Sequence, residues 1–372
     1  MNGALSRPWP AGVSRAAVTG GAGTTRLYEL PLPRLGPDDG LLRVEATGVR
    51  GADWRRYTSG PGGVILGREI IGRVTAVGPA AAERWGVGPG DRIAVEEFLS
   101  CGACGPCRRG EHRGCRIART PGADRPPGYG RTPVALAPGL YGGLSEYLYL
   151  HPRAVVHRVG EGVDPRVATL FAPLANGIRW IARQARTRPG DTVVIHGPSR
   201  QGLACVPAAR HAGAGAVVVV GGTAQLRRLD LAKHLGADHV VFADEEDAVA
   251  EVRALTGGRG ADTVVHLSPQ PGTLAEAVRM AAPRAAVLLA APGSAGNAAL
   301  PYTAVARGEL RLAGARGHDH RSVEAALDVI RSGRHRLDLL TTHHFALAEA
   351  DTALRTAAGR TGEHALHVTA GA

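Results

Sequence analysis

Hydrophobic and polar positions follow two different patterns along this chain. From Arg15 to about residue 160, apolar residues come in short runs broken by Gly and Pro. RAAVTGGAGTTRLYELPLP (Arg15 to Pro33) and Gly40 to Gly48 read as short strands of this kind. The first fourteen residues read as a loose extension. Beyond residue 160 the pattern changes. DTVVIHG (Asp191 to Gly197) predicts a short buried strand, LACVPAARHAG a helix that tolerates Pro207, and VVVVGG the next strand. LRRLDLAKHLGA predicts an amphipathic helix, DHVVF a strand, and TVVHLS and AAVLLAAP two more. Strands alternating with helices predict βαβ units around a parallel sheet, an α/β fold. The tail, LDLLTTHHFALAEADTALRTAAGR followed by HALHVTA, predicts a helix and a strand returning to the first domain. The expected domains are 1–160, 161–318 and a C-terminal return over 319–372.

Composition narrows the classes of function. A chain of 372 residues with 44% hydrophobic and 4% aromatic residues can bury two ordinary cores. No apolar run is long enough to span a bilayer, and MNGALSRPWPAG lacks the apolar core of a signal peptide. A cytoplasmic location without a membrane partner is therefore expected. The net charge of +11 comes from arginines dispersed along the chain, with Lys233 the one lysine. They form no basic stripe and no reader motif accompanies them, so nucleic acid is not an expected partner. A basic surface still favours anionic substrates or cofactors. Four of the five cysteines lie between positions 101 and 115, too close together for a disulfide framework. Cys205 stands alone in a predicted helix and reads as a small buried hydrophobe.

Two motifs carry chemistry. Cys101, Cys104, Cys107 and Cys115 lie on one Gly/Pro-rich loop and can wrap a single tetrahedral ion, zinc being the usual occupant. Such a closed site is structural. A redox dithiol is the alternative. The second motif is the strand-to-helix turn Gly197-Pro-Ser199-Arg200-Gln201-Gly202, placed where a dinucleotide fold turns its backbone amides toward pyrophosphate. Ser199 replaces the middle glycine of the usual pattern, and a purely structural loop is the alternative. The following strand ends Gly221-Gly222-Thr223 with no acid to bind ribose hydroxyls, and Arg227 and Arg228 follow. These features lean toward NADP(H) over NAD(H), because arginine can grip a 2′-phosphate.

EATGVRGADWRRY (Glu45 to Tyr57), ILGREIIGRV (Ile65 to Val74) and FAPLANGIRW (Phe171 to Trp180) resemble segments of the medium-chain, zinc-binding alcohol dehydrogenases. GDRIAVEEF and YLYLHP extend the resemblance, which covers the chain from about Arg15. It implies a GroES-like, β-rich catalytic domain, a Rossmann doubly wound domain, and a homodimer or homotetramer acting on a small molecule. It also implies a catalytic zinc held by a Cys, a His, and a Cys or Glu, sometimes another residue. Those positions hold Arg50, Arg68 and Ala172 here. Guanidinium is permanently protonated and a methyl group has no lone pair, so neither ligates a metal. The hydroxyl that relays the substrate proton in such relatives is Ala52, and a relay-histidine position is Arg55. One structural zinc and no catalytic zinc are expected.

Asp53 and Glu69 survive from the acids that surround the metal in relatives, and Arg50 and Arg68 are expected to pair with them. The alternative is that the arginines only fill the old cavity. Trp54, Tyr57 and Asn176 are further lining candidates, with Tyr57 a possible proton donor and Asn176 a neighbour of nicotinamide. Without a Lewis acid, hydride delivery to an activated C=C or C=N bond is easier than oxidation of a simple alcohol. A zinc-independent NAD(P)H-dependent reductase is therefore the expected activity. The alternatives are a ketone or aldehyde reductase or alcohol dehydrogenase using Tyr or Arg, and a non-redox enzyme or nucleotide-binding sensor.

Overall fold

The computed structural model describes residues 12–117, 127–290, 298–362 and 364–371. Most of the expected N-terminal extension, residues 1–11, lies outside them. The chain forms two compact units, Met1–Phe171 with Thr341–Ala372, and Ala172–Leu340. Among the described residues, no helix is long and apolar enough to cross a membrane.

The first unit contains β1 (Val13–Gly21), β2 (Thr24–Pro31), β3 (Gly40–Val49), β4 (Glu69–Val77), β5 (Arg92–Val95), β6 (Tyr147–Leu150) and β7 (Val156–Arg158). β1 and β2 form an antiparallel hairpin. β3 pairs antiparallel with β4 and β6, β4 with β5, and β5 with β7. β4 begins with four buried residues and then alternates, so Ile70, Ile71 and Val74 face the core while Arg73 reaches outward. Register matters most at one end of this sheet. Gly48 lies opposite Glu69, and Ile70 opposite Val95. Arg50 therefore leaves β3, Arg68 enters β4 and Glu97 follows β5 at the same edge.

The second unit holds β8 (Thr192–His196), β9 (Ala216–Gly221), β10 (His239–Phe242), β11 (Ala261–His266), β12 (Ala281–Leu289) and β13 (Arg311–Gly314). They form a parallel sheet in the order β10-β9-β8-β11-β12-β13. Their cores are nearly continuous valine, alanine and leucine, as expected where both sheet faces are covered. Val194, Val218, Val220 and Val264 pack with Val252 and Ala277 from the helices Ala248–Leu255 and Thr273–Met280. Strand order reverses between β8 and β11, the place where doubly wound sheets receive ligands at their carboxyl ends. The helix Arg200–His211 follows β8 and contains Pro207 as expected.

That carboxyl edge also buries a histidine pair. His196 ends β8 opposite His266 at the end of β11, with rings 5.8 Å apart. Burial, then the neighbouring His266, pushes His196 down to about 4, and burial lowers His266. An unfolded chain takes up the His196 proton near 6.5, whereas the folded one resists until about 4. The unfolded state therefore binds more protons in that window, and stability falls as pH falls. His196 alone is expected to cost about 3 kcal/mol once pH is below about 4. Urea unfolding at pH 7 and pH 5 should show part of this loss, and His196→Asn should flatten it. Equal pH dependence in both proteins would show that His196 is not its source.

The chain then returns to the first unit through β14 (Thr341–Ala346) and β15 (His367–Gly371). β14 runs parallel to β15, and β15 antiparallel to β3, completing the order β14-β15-β3-β4-β5-β7, with β6 beside β3. Between them, the helix Ala350–Ala357 buries Ala350, Ala353 and Leu354 against Tyr57, Val49 and Val368.

Candidate functional site

Arg50, Arg68 and Arg113 converge on one carboxylate. Arg50 Nη2 and Arg68 Nη1 each donate to Glu97 Oε2 at 3.0 Å. Arg113 Nη2 donates to Glu97 Oε1 at 3.1 Å, and its guanidinium lies over the Phe98 ring at 4.9 Å. Arg68 Nη2 also donates to Asp53 Oδ1. A short 3₁₀ turn, Gly51–Asp53, presents Asp53, whose Oδ2 accepts from the Arg50 backbone N–H at 3.1 Å. Asp53 and Glu69 are 2% exposed, so these charges are largely removed from water. Burial works against the Arg50 charge, but the fields of Glu97, Asp53 and Glu69 outweigh it and hold its pKa above the ordinary value. The stem of Arg68 runs against Gly130, where a Cβ would come within 2.3 Å of Arg68 Cγ. Gly130 has φ +71°, so its lack of a side chain serves both turn and approach.

The four cysteines gather on a second feature of this unit. Pro106 opens the short helix Gly105–Arg108, which carries Cys107, and a 3₁₀ turn over His112–Gly114 leads into Cys115. All four sulfurs lie within 4.8 Å of one another. Cys104 and Cys107 sulfurs are 3.4 Å apart, and those of Cys101 and Cys107 3.9 Å. Zinc–thiolate bonds of about 2.3 Å in a tetrahedron imply sulfur–sulfur edges of about 3.8 Å, and these distances bracket that value. The Cys101 and Cys104 amides donate to the Cys115 and Cys101 sulfurs at 3.3 and 3.4 Å. The donor set fits a structural zinc.

In the second unit, β8 leads through Gly197 into the helix Arg200–His211. Ser199 caps that helix, its Oγ accepting from the Gly202 amide at 3.2 Å. Gly202 lies so close to the preceding strand that a Cβ would stand 2.1 Å from the Gly197 carbonyl oxygen. The helix start can therefore present amides to an anion, as a pyrophosphate site requires. At the end of β9, Gly222 caps a 3₁₀ turn that leads to Arg227 and Arg228 in the helix Leu226–Leu235.

The architecture of each unit has counterparts among known proteins. A family model described as an alcohol dehydrogenase GroES-like domain matches residues 36–160, and one described as a zinc-binding dehydrogenase matches 202–332. A Mycobacterium tuberculosis protein named probable alcohol dehydrogenase is 43% identical over 344 residues, 90% of this chain and 92% of its own length.

The chain belongs to the medium-chain zinc-binding alcohol dehydrogenase family.

Bacillus subtilis sorbitol dehydrogenase is 30% identical over 271 residues, 71% of each chain. The solved alcohol dehydrogenase of Thermus sp. ATN1 matches with TM-score 0.80 and 26% identity over 96% of this chain and 99% of its own. A Thermotoga maritima alcohol dehydrogenase structure, 24% identical, shares the fold with TM-score 0.84, covering 96% of this chain and 99% of its own. The protein is thus an NAD(P)-dependent oxidoreductase of the medium-chain dehydrogenase/reductase type, with a GroES-like and a Rossmann-like domain.

Within this family, the arginine cluster departs from a metal site in the nature of its donors. Arg50 and Arg68 present only N–H donors, and Ala172, at the second position of the helix Phe171–Ile178, presents a methyl group. These residues do not fit a catalytic zinc. The expected pairing with Asp53 occurs through Arg68. The shared acceptor, however, is Glu97, which sequence reasoning passed over although it lies in the quoted segment GDRIAVEEF. Glu69 acts on Arg50 through its field, while its carboxylate lies against Gly48.

One candidate, Tyr57, moves away from its expected role. Tyr57 is fully buried in the core, its hydroxyl donating to Asp351 at 2.8 Å, and burial followed by that bond pushes it up to about 12. It is held as an anchor, without a surface from which to deliver a proton. Asn176 donates to Gln201 Oε1 at 2.9 Å, and Gln201 donates on to the Pro173 carbonyl at 2.8 Å. The Asn176 carbonyl oxygen meets His318 Nδ1 at 3.2 Å, so a three-residue polar chain forms where only Asn176 was singled out. Cys205 is fully buried and burial pushes its thiol up to about 12, as a small hydrophobe would be. Arg55 and Ala52 are exposed.

Proposed function

We propose that this enzyme transfers hydride from NAD(P)H to an activated C=C or C=N bond of a small organic substrate without a catalytic zinc. The observation that carries the reading is the guanidinium pair of Arg50 and Arg68, tied to Glu97 and Asp53 where relatives would place metal donors. The dinucleotide, when bound, supplies the hydride. Gly197, Ser199, Arg200, Gln201 and Gly202 are assigned to the pyrophosphate, and Gly222, Thr223, Arg227 and Arg228 to the adenosine end. Arg50 and Arg68 are assigned to the negative charge that develops on the substrate. Hydride reaches the β-carbon of an α,β-unsaturated carbonyl, the π electrons move to oxygen as an enolate, and solvent then protonates the α-carbon. An iminium substrate arrives charged and needs less stabilisation. Cys101, Cys104, Cys107 and Cys115 hold one zinc that braces the loop. The working form is a homodimer or homotetramer, by analogy with the family.

A second reading, reduction of a ketone or aldehyde and the reverse alcohol oxidation, is favoured by the names of the relatives, alcohol and sorbitol dehydrogenases. Consumption of NADH and NADPH with panels of enones, imines and ketones separates the two. In either case Arg50→Ala and Arg68→Ala are expected to lower turnover on the order of 100-fold while leaving dinucleotide affinity nearly unchanged, as for loss of an electrophilic donor. Full activity in the folded double variant would reduce these arginines to space filling. Dinucleotide binding without turnover on any panel would favour a non-redox role.

A further inference from the structure

The end of β9 has no acid of its own, and the fold delivers one from the neighbouring strand. β9 and β10 run parallel in register, Gly221 opposite Phe242. Two residues beyond β10, Asp244 turns back over the end of β9. Its two carboxylate oxygens each accept from the Thr223 amide at 2.9 Å, and Oδ2 accepts from the Thr223 hydroxyl at 2.6 Å. Gly222 makes room for this approach, because a Cβ there would stand 3.1 Å from Asp244 Oδ2. In an NAD-binding fold, the end of the second strand is where a carboxylate receives the adenosine ribose hydroxyls. The absence of such a residue in the sequence Gly221-Gly222-Thr223 was the premise for expecting NADP(H). Asp244 removes that premise.

We propose that Asp244 reads the adenosine ribose and selects NAD(H) over NADP(H). The inference rests on the assignment of the Gly197–Gly202 turn to a dinucleotide. Three physical points support it. First, a 2′-phosphate placed here would meet a carboxylate, and like charges at this range disfavour binding. Second, the Thr223 amide and hydroxyl, donors that a phosphate would require, are already taken by Asp244. Third, the arginines expected to grip that phosphate do not neutralise Asp244. Among the described residues no ion pair joins it to Arg227 or Arg228, and Arg228 is partly buried, which lowers its pKa. The hydrogen bonds from Thr223 hold the Asp244 carboxyl below its usual range, so it is ionised at neutral pH. A carboxylate has about four lone-pair sites. Asp244 is open to solvent, and capacity remains to accept from ribose hydroxyls.

The test is equilibrium binding of NADH and NADPH to the full-length zinc-loaded protein, wild type beside Asp244→Asn and Asp244→Ser. The wild type is expected to bind NADH at least about tenfold more tightly, and both variants to narrow that ratio by about tenfold, mainly by gaining NADPH affinity. A companion measurement needs no variant: adenosine 5′-monophosphate should compete with NADH better than adenosine 2′,5′-bisphosphate does. Tighter binding of NADPH or of the bisphosphate by the wild type would overturn the proposal, as would an unchanged ratio in folded variants. If neither NADH nor NADPH binds, the dinucleotide assignment itself fails, and the role of Asp244 fails with it.

Discussion

Replacing Glu97 by Ala is expected to destabilise the protein by about 3–5 kcal/mol, the cost of breaking a buried ion network by removing one partner. Glu97 receives three guanidiniums, and its side chain is only 11% exposed beside Arg50 at 19% and Arg68 at 21%. Without it, Arg50 and Arg113 lose the carboxylate they share, and among the described residues Arg68 keeps only Asp53 as an ion-pair partner. Denaturant unfolding measures the loss directly. Adding Arg68→Met to Glu97→Ala should recover part of it, because one uncompensated charge is then removed. A change below about 1 kcal/mol in the single variant would mean that solvent screens these pairs as it does surface ion pairs. The network would then have no special standing in the fold.

Loss of the four-cysteine zinc is expected to have a comparable effect. Cys115→Ser, or prolonged treatment with a strong chelator, should lower the thermal midpoint by roughly 10 °C, as metal affinity in a closed site contributes to folding. Cys107 and Cys115 are buried with little apolar company beyond Cys101 and Cys104, so nothing else in that cluster replaces the ion. A chelated protein with an unchanged midpoint would show that the thiols hold the loop without metal.

The contrast between these features and Asp244 shows what sequence can reveal. The Cys lobe is local: four sulfur donors within fifteen residues mark a candidate metal site through spacing alone. The parallel strands were equally plain, since DTVVIHG and VVVVGG each carry an uninterrupted apolar run and end in glycine. Arg50 and Arg68 were visible too, because they stand in segments that resemble those of the family. Their partner Glu97 was not, as its arrival at the same edge depends on the β3–β4–β5 register and on no pattern in the chain. Asp244 was hidden for the same reason. It lies 21 residues from Thr223 and meets it only because β9 and β10 are adjacent and parallel. Tyr57 misled in the opposite direction: a phenol near an expected substrate entrance suggests chemistry, but the C-terminal return brings Asp351 to it and closes it into the core.

In the proposed function, arginines and their carboxylates stand where a catalytic metal would be held. Zinc counted per folded chain by elemental mass spectrometry, in the wild type and in a Cys101→Ser/Cys104→Ser variant, tests it most directly. One zinc in the wild type and none in the variant are expected. Two zincs in the wild type, with one persisting after the cysteine substitutions, would contradict it.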